Sequence, residues 1–347
     1  MRTLLSVVAI AVGVTMILTL VGVSRGVLED MASRSRGSGA DIMVRPPDSS
    51  VIGFSGTMSE KLVNLVRSEP HVAMATGTLM QAMNSFEYVT GIHLNEFNAI
   101  TGGLKYLEGG PFKEPDDMIV DEVYARAHNL HAGSMVDLGH KWRVCGVVEQ
   151  GKMSRSFADI GVLQNLFSAE GKISTIWVRV DDPANIPAVK AELEAKLDGY
   201  KVYPMQEFVS LFSVDRVPYL KPFTSVVIGL AAFFGFLMVS LSMYTAVLER
   251  TREIGILKAL GASRGYIIGL LLRETVVLAV AGTIVGIGMT YGTRVLMELF
   301  VPTMPQAIVP DWYPLAAAIA VGGALIGAVY PGLKAANQDA IEALAYD

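Results

Sequence analysis

Residues Glu249–Tyr266 read ERTREIGILKALGASRGY, a short charged segment between two long apolar stretches of the chain. Its larger apolar residues recur at helical spacing, at Ile254, Leu257 and Leu260. This spacing predicts a short amphipathic helix. Gly261 permits the left-handed conformation that closes a helix, and Ser263 is a good N-cap for the next helix. The segment therefore predicts a short helix and an elbow, and periodicity alone leaves open whether the helix binds a partner or lies in lipid headgroups.

Four apolar stretches are long enough to cross a bilayer, which takes about 20 residues in a helix. They are Leu4–Val23, Phe223–Leu248, Thr275–Thr293 and Trp312–Leu333. The composition agrees, because 52% of the 347 residues are hydrophobic and only 18% are charged, whereas soluble domains carry about 25% charged residues. Since backbone polar groups in lipid must be satisfied internally, each stretch is expected to form a helix. The sequence predicts an integral membrane protein.

Basic residues in the short loops predict its orientation. Segment 249–266 contains four Lys or Arg residues, whereas segment 294–311 contains only Arg294. We therefore expect 249–266 and both termini in the cytoplasm, and the long segment after the first helix outside. The predicted order is transmembrane helix 1 at 1–23, an extracytoplasmic (periplasmic) domain at 24–221, helix 2 at 222–248, a cytoplasmic helix and elbow at 249–266, helix 3 at 267–293, an external loop at 294–311, helix 4 at 312–333 and a cytoplasmic tail at 334–347.

The long segment between the first two apolar stretches is large enough for a core of its own and is predicted to be mixed α/β. Predicted strands are Asp41–Arg45 and Ile173–Val180, with a hairpin formed by Met135–Leu138 and Trp142–Val148. Predicted helices are Ser59–Ser68, Asp121–Asn129 and Ile186–Leu197. Two subdomains are expected, one around 41–100 and one around 120–205.

Several kinds of chemistry are not indicated by the sequence. The chain contains no P-loop, no G-x-S-x-G, no H-E-x-x-H and no C-x-x-C motif, so nothing points to catalysis in this chain. Its single cysteine, Cys145, cannot form an internal disulfide. His128, His131 and His140 are interpreted as solvated histidines rather than as metal ligands. A net charge of −5 argues against nucleic acid as a partner.

The stretch VLERTREIGILKALGAS, followed by LLLRETVVLAVAGTIVGIGMTYG, resembles the cytoplasmic loop and third helix of the FtsX-like/MacB-type ABC transporter permeases. These are type VII ABC proteins, which work by mechanotransmission. The ending YPGLKAANQDAIEALAYD, the first helix and the GADIMV stretch also resemble the family. The resemblance implies four transmembrane α-helices and a large mixed α/β extracytoplasmic domain inserted between helices 1 and 2.

The resemblance also implies roles for particular residues. It assigns to an ATPase-coupling helix Glu249, Arg250, Arg252, Glu253, Ile254, Gly255, Leu257, Lys258, Leu260, Gly261 and Ala262. In this scheme Ile254, Leu257 and Leu260 fill a groove of the ATPase, and the charged residues fix the register at its rim. ATP and Mg would be bound by the partner ATPase, so no cofactor is expected in this chain.

Two further sets of residues concern helix contacts. Small residues that allow close helix packing are Gly282, Gly286, Gly323 and Gly327. They could pack within one subunit or across a dimer, and the sequence favours neither. Arg273 and Glu274 are adjacent, point in different directions on a helix, and are expected to find partners on other helices.

The resulting functional hypothesis is a non-catalytic permease subunit in the bacterial inner membrane. It would couple ATP hydrolysis by two copies of an ATPase to export or extraction of a lipoprotein, lipid, peptide or drug. Expected partners also include a second permease copy, which the resemblance implies as a homodimer, membrane lipid, and a periplasmic adaptor or membrane-fusion protein. The alternative is a signalling permease that transmits ATPase motion to an extracytoplasmic hydrolase or sensor without moving cargo.

Overall fold

The four apolar stretches form long helices in the computed structural model, which describes residues 2–50, 56–83, 87–213 and 220–337. The described helices are α1 (Arg2–Arg36), α2 (Lys61–Arg67), α3 (Leu94–Thr101), α4 (Glu122–His128), α5 (Ile160–Leu166), α6 (Ile186–Lys196), α7 (Met205–Ser210), α8 (Leu220–Glu249), α9 (Thr251–Ala259), α10 (Arg264–Phe300) and α11 (Tyr313–Asn337). Four of them are long and apolar enough to cross a membrane, namely α1, α8, α10 and α11.

The chain divides into two compact units, each described here by itself. The helical unit takes its described residues from 1–26, 219–299 and 306–347, and the α/β unit takes them from 27–218 and 300–305. Most of the predicted tail at 334–347 lies outside the described residues. Helix α1 contributes residues to both units, because it extends to Arg36, well past the predicted end of the first apolar stretch. Helical hydrogen bonding does not require apolar side chains, so the helix continues where hydrophobicity ends.

In the helical unit, α10 packs closely on α1 through two glycines. A Cβ added to Gly282 would lie 2.7 Å from the Cβ of Ile10, and one added to Gly286 would lie 2.7 Å from the carbonyl oxygen of Ala11. Thr15 uses the same close approach, since its hydroxyl donates to the Gly286 carbonyl at 3.0 Å. These two glycines therefore pack within one chain.

Helices α8 and α11 make a second close contact in the same unit. A Cβ on Gly327 would lie 2.9 Å from the carbonyl oxygen of Phe236, and one on Gly323 would lie 3.8 Å from that of Ala232. All four predicted packing glycines thus face helices of their own chain.

The α/β unit is built on one ten-stranded sheet. Its strands, with a two-stranded ribbon of β2 and β10, are β1 (Ile42–Arg45), β2 (Met58–Ser59), β3 (Val72–Ala82), β4 (Tyr88–Ile92), β5 (Tyr106–Gly109), β6 (Asp117–Asp121), β7 (Met135–Asp137), β8 (Lys141–Val148), β9 (Ser156–Asp159), β10 (Lys172–Ile173), β11 (Thr175–Val180) and β12 (Lys201–Pro204). The order is β12-β1-β11-β3-β4-β9-β6-β8-β5, and β7 pairs with β8. The β4–β9 and β6–β8 pairs are parallel.

This sheet does not divide into the two predicted halves. Strand β1 lies between β11 and β12 from the other end of the segment, and β4 pairs with β9. The two halves are therefore interleaved, since strand pairing joins segments that are distant in sequence. The predicted local elements are confirmed as β1, α2, α4, α6 and the β7–β8 hairpin, and 173–180 divides into β10 and β11 at Ser174.

Within the α/β unit, the last turns of α1 are held by a group of buried and half-buried charges, here named the α1 anchor. Its members are Asp30, Arg34, Asp121 and Arg155. Arg155, whose side chain is 13% exposed, donates to Asp30 at 2.9 Å and to Asp121 at 3.2 Å. Asp121 also caps α4 by accepting from the Tyr124 amide at 2.7 Å. The anchor thus fastens the end of α1 to β6 and α4.

Candidate functional site

The predicted elbow begins where α8 gives way to α9. Helix α8 ends at Glu249, and Arg250 adopts φ −97° and ψ 15° before α9 starts. The chain turns here without losing main-chain hydrogen bonds, because the Arg250 amide donates to Ala246 at 3.2 Å and the Ile254 amide donates to Arg250 at 2.9 Å. The buried Thr251 hydroxyl bonds to the Leu248 carbonyl at 2.8 Å. We call residues 247–271 the α9 elbow.

The far end of α9 is closed by a Schellman motif. Gly261 has φ +93°, its amide donates to Lys258 at 2.9 Å, and the Ala262 amide donates to Leu257 at 3.0 Å. These are the two bonds that define the motif. Ser263 then caps α10, since its hydroxyl accepts from the Tyr266 amide at 3.2 Å. The sequence predictions of a closing glycine and an N-cap serine are confirmed.

The inner face of α9 packs against both neighbouring helices. Ile254, 7% exposed, forms a cluster with Val247 of α8 and with Ile267 and Leu271 of α10. Gly255 is buried beside it. Ile254 therefore does not lie on the exposed face to which the resemblance assigned it. The reason is geometric, because the two flanking helices supply three apolar side chains that cover the side of α9 carrying Ile254.

The outer face of α9 is apolar toward its C-terminal end. Ile256 is 46% exposed and Leu260 is 81% exposed. These residues are four apart and so lie one above the other on a helix. The opposite end of the same face is charged, with Arg252 and Glu253 exposed. The remaining assigned residues divide into half-buried Leu257, Lys258 and Ala262 and exposed Glu249 and Gly261.

Arg250, assigned to the rim by the resemblance, has a partner inside the chain. Its guanidinium lies 3.1 Å from the Glu274 carboxylate on α10, and the two side chains are 54% and 32% exposed. The expectation that Glu274 finds its partner on another segment is confirmed. This pair links the start of α9 to α10, so one of the assigned charges helps to hold the elbow.

The histidines singled out in the sequence each face a different carboxylate. His128 lies 3.4 Å from Glu87, His131 lies 3.2 Å from Glu108, and His140 lies 2.8 Å from Asp116. Across the described ranges, no group of three or more His, Cys, Asp or Glu side chains could hold a metal ion. Burial raises the pKa of the Cys145 thiol to about 12, so the nucleophilic thiolate is scarce at neutral pH.

Two family models match the chain. One, described as the MacB-like periplasmic core domain, matches residues 3–196, and the other, described as FtsX-like permease C-terminal, matches residues 225–340. The first covers α1 and most of the α/β unit, and the second covers the segment that contains the α9 elbow.

Curated relatives span the same region. The uncharacterized ABC transporter permease YknZ of Bacillus subtilis is 25% identical over 389 residues, covering 100% of this chain and 96% of that protein. The macrolide export ATP-binding/permease protein MacB of Neisseria gonorrhoeae is 25% identical over 386 residues, covering 100% of this chain and 59% of that protein. The solved periplasmic region of MacB from Actinobacillus actinomycetemcomitans aligns with 49% of this chain and 92% of that one, at 16% identity and a TM-score of 0.38.

Proposed function

The chain belongs to the MacB/FtsX-like family of ABC transporter permeases, and from this premise we propose that the outer face of α9 is the surface on which a partner ATPase acts. Membership of this family implies an ATPase partner and a dimer of permeases. The four apolar helices make the chain a multi-pass membrane protein. We place it in the bacterial inner membrane, with the α9 elbow and both termini in the cytoplasm.

The observation that carries the proposal is an exposed apolar pair on an elbow that is closed at both ends by hydrogen bonds. Ile256 and Leu260 are exposed, whereas Ile254 on the other side of α9 is packed against Val247, Ile267 and Leu271. Burying an exposed side chain of this size contributes about 1.5–3 kcal/mol. A partner groove that covers both residues would therefore gain a substantial docking energy, while Arg252 and Glu253 would set its register.

The proposed mechanism is mechanotransmission. ATP and Mg are held by the partner ATPase, two copies of which act on two permease chains. Closure of the ATPases moves α9, and the buried cluster of Val247, Ile254, Ile267 and Leu271 passes that movement to α8 and α10 together. The work is delivered on the outer side of the membrane, where a lipoprotein, lipid, peptide or drug is extracted or exported.

A substitution on the exposed face tests the docking. We expect Leu260→Asp to reduce co-purification of the native ABC ATPase with the full chain by about tenfold or more, because a charge replaces a buried apolar contact. ATPase activity measured in nanodiscs should lose its dependence on the permease. The matched control is Met135→Asp, since Met135 is 62% exposed but lies on β7 of the α/β unit.

Correct folding of the variant is checked by size-exclusion chromatography and thermal unfolding, both of which should match the unmodified chain. Normal ATPase binding by well-folded Leu260→Asp and Ile256→Asp variants would remove α9 as the docking surface. Loss of binding in Met135→Asp as well would show that the effect does not depend on α9.

A further inference from the structure

A cavity of the α/β unit lies on a part of the molecule that the coupling mechanism does not use. It encloses about 490 Å³, within the range of about 300–1,000 Å³ that small-molecule sites occupy. Helix α2, the start of α3, strand β3 and the segment at Glu170 and Gly171 form its walls. Among the described residues that line it, Val63 supplies the only aliphatic side chain, and the others are polar, charged or glycine. An apolar ligand would find little to pack against here.

Hydrogen bonds fix two of the charged walls. The Glu60 carboxylate accepts from the Gln164 amide at 3.0 Å, and its other oxygen lies 2.7 Å from His93 Nε2. Burial pulls the pKa of Glu60 upward, but these two hydrogen bonds bring it below its ordinary value. Glu60 therefore stays ionised near neutral pH, and the wall that it forms with His93 is polar and preformed.

The second wall is an ion pair that is equally well held. Arg67 donates to Glu96 at 2.9 Å and to the Ala75 carbonyl at 2.7 Å. The other Glu96 oxygen accepts from the Thr76 hydroxyl at 3.0 Å. Both partners have their geometry set before any ligand arrives, so binding here would cost little side-chain ordering.

Two side chains of opposite charge at the cavity have no partner within the described part of the chain. Lys61 and Glu170 both line it, and neither has an ion-pair or hydrogen-bond partner for its side chain within the described part of the chain. Their segments are joined, because the Glu60 amide donates to the Gly171 carbonyl at 2.8 Å. A free ammonium and a free carboxylate therefore stand on neighbouring segments of the same cavity without pairing.

We propose that this cavity binds a dipolar ligand that carries both an ammonium and a carboxylate, such as an amino acid or a short peptide. Lys61 receives the ligand carboxylate and Glu170 receives the ligand ammonium. Asn64 and His93, which also line the cavity, face the amide groups between them. This site is independent of α9, so ligand binding requires neither ATP nor the ATPase.

The test uses the full chain in nanodiscs without nucleotide. The probes are trialanine with free ends, its N-acetyl form, which lacks the ammonium, and its C-terminal amide, which lacks the carboxylate. Isothermal titration calorimetry measures their dissociation constants. We expect trialanine to bind and each blocked form to bind about tenfold more weakly, as expected for loss of one charge-assisted hydrogen bond.

Charge-removing variants assign the two ends. Lys61→Gln should weaken trialanine binding about tenfold and abolish the discrimination against the C-terminal amide, while Glu170→Gln should do the same for the N-acetyl form. Lys141→Gln and Asp198→Asn remove exposed charges that do not line the cavity and should leave binding unchanged. Failure of trialanine to bind, or equal binding of all three probes, would overturn the proposal whatever the outcome of the α9 experiment.

Discussion

The α1 anchor and the α9 elbow are both helix junctions, but they differ in which groups they bury and which they leave exposed. In the anchor, the charges are buried or half-buried and every one of them is paired, with Arg155 between Asp30 and Asp121. In the elbow, the ion pair of Arg250 and Glu274 is half-exposed, and two apolar side chains, Ile256 on α9 and Leu260 at its C-cap, are exposed. A junction with all its groups satisfied serves to hold its own chain. One that leaves apolar surface uncovered is suited to a partner.

The largest effect on stability is expected from removing the central charge of the anchor. Arg155→Leu would leave Asp121 and Asp30 without their shared partner, and breaking a buried pair in this way costs about 3–5 kcal/mol. The matched variant Arg250→Leu breaks an exposed pair, whose loss costs about 0.2–1 kcal/mol. Hydrogen exchange of the full chain should show faster exchange in β6 and α4 for Arg155→Leu only. Equal destabilisation by both variants would erase the distinction between the two junctions.

A second pair of variants tests the two sides of α9. Ile254→Ala empties a buried position, and such truncations cost about 2–5 kcal/mol, so thermal unfolding should occur at lower temperature. Ile256→Ala, two residues away, removes an exposed side chain and should leave unfolding unchanged while weakening ATPase binding. Each variant thus serves as the control for the other. Unfolding shifts of the same size would mean that α9 has no distinct inner and outer face.

Sequence reasoning identified the elbow but not the side of α9 that faces inward. Gly261 and Ser263 were predictable because helix ends depend on local conformation and on side chains within a few residues. The burial of Ile254 was not, because it depends on Val247 before α9 and on Ile267 and Leu271 after it. In a helix of nine residues with apolar residues on several sides, periodicity alone cannot decide which of them meets the neighbouring helices.

The same distinction between local and distant interactions applies to the α/β unit. The β7–β8 hairpin follows from the short link at Gly139 and His140, whereas the position of β1 between β11 and β12 requires pairing across more than a hundred residues. The α1 anchor was missed for this reason as well. Asp30 and Arg34 are four apart on α1 and pair with each other, but Arg155, the second partner of Asp30, comes from a distant segment.

A third comparison concerns the close packing of α10. Gly286→Val would place a side chain against Ala11 and Val14 of α1, and overpacking of this kind costs about 1–3 kcal/mol. Gly288 lies two residues away, and a Cβ added there meets nothing within 4 Å. We therefore expect Gly286→Val to lower the unfolding temperature of the full chain in detergent, and Gly288→Val to leave it unchanged. If Gly288→Val lowered the unfolding temperature equally, Gly288 would also be needed for a contact outside this chain, such as one with a second copy.

The smallest effect is a dependence on pH that should differ between the two ends of β6. Asp117 begins the strand, and burial alone would raise its pKa. Hydrogen bonds from the Lys113 and Glu114 amides and from Arg143 instead lower the pKa of Asp117 below its ordinary value. Asp121, in the α1 anchor at the other end, has a raised pKa chiefly because of burial. The two carboxylates should therefore affect stability in opposite directions as the pH changes.

The direction in which each carboxylate changes stability with pH follows from the linkage between proton binding and folding. Since the folded pKa of Asp117 is depressed, its ionised form stabilises the fold above the unfolded pKa, and this contribution is lost as pH falls through the folded pKa. The stability advantage of the unmodified chain over Asp117→Asn should therefore shrink on acidification. For Asp121 the folded pKa is raised, so the unmodified chain should gain relative to Asp121→Asn as pH falls from the folded toward the unfolded pKa. Urea unfolding of the three proteins across this acidic range measures both slopes, and slopes of the same sign would contradict the assignment of burial as the dominant influence on Asp121.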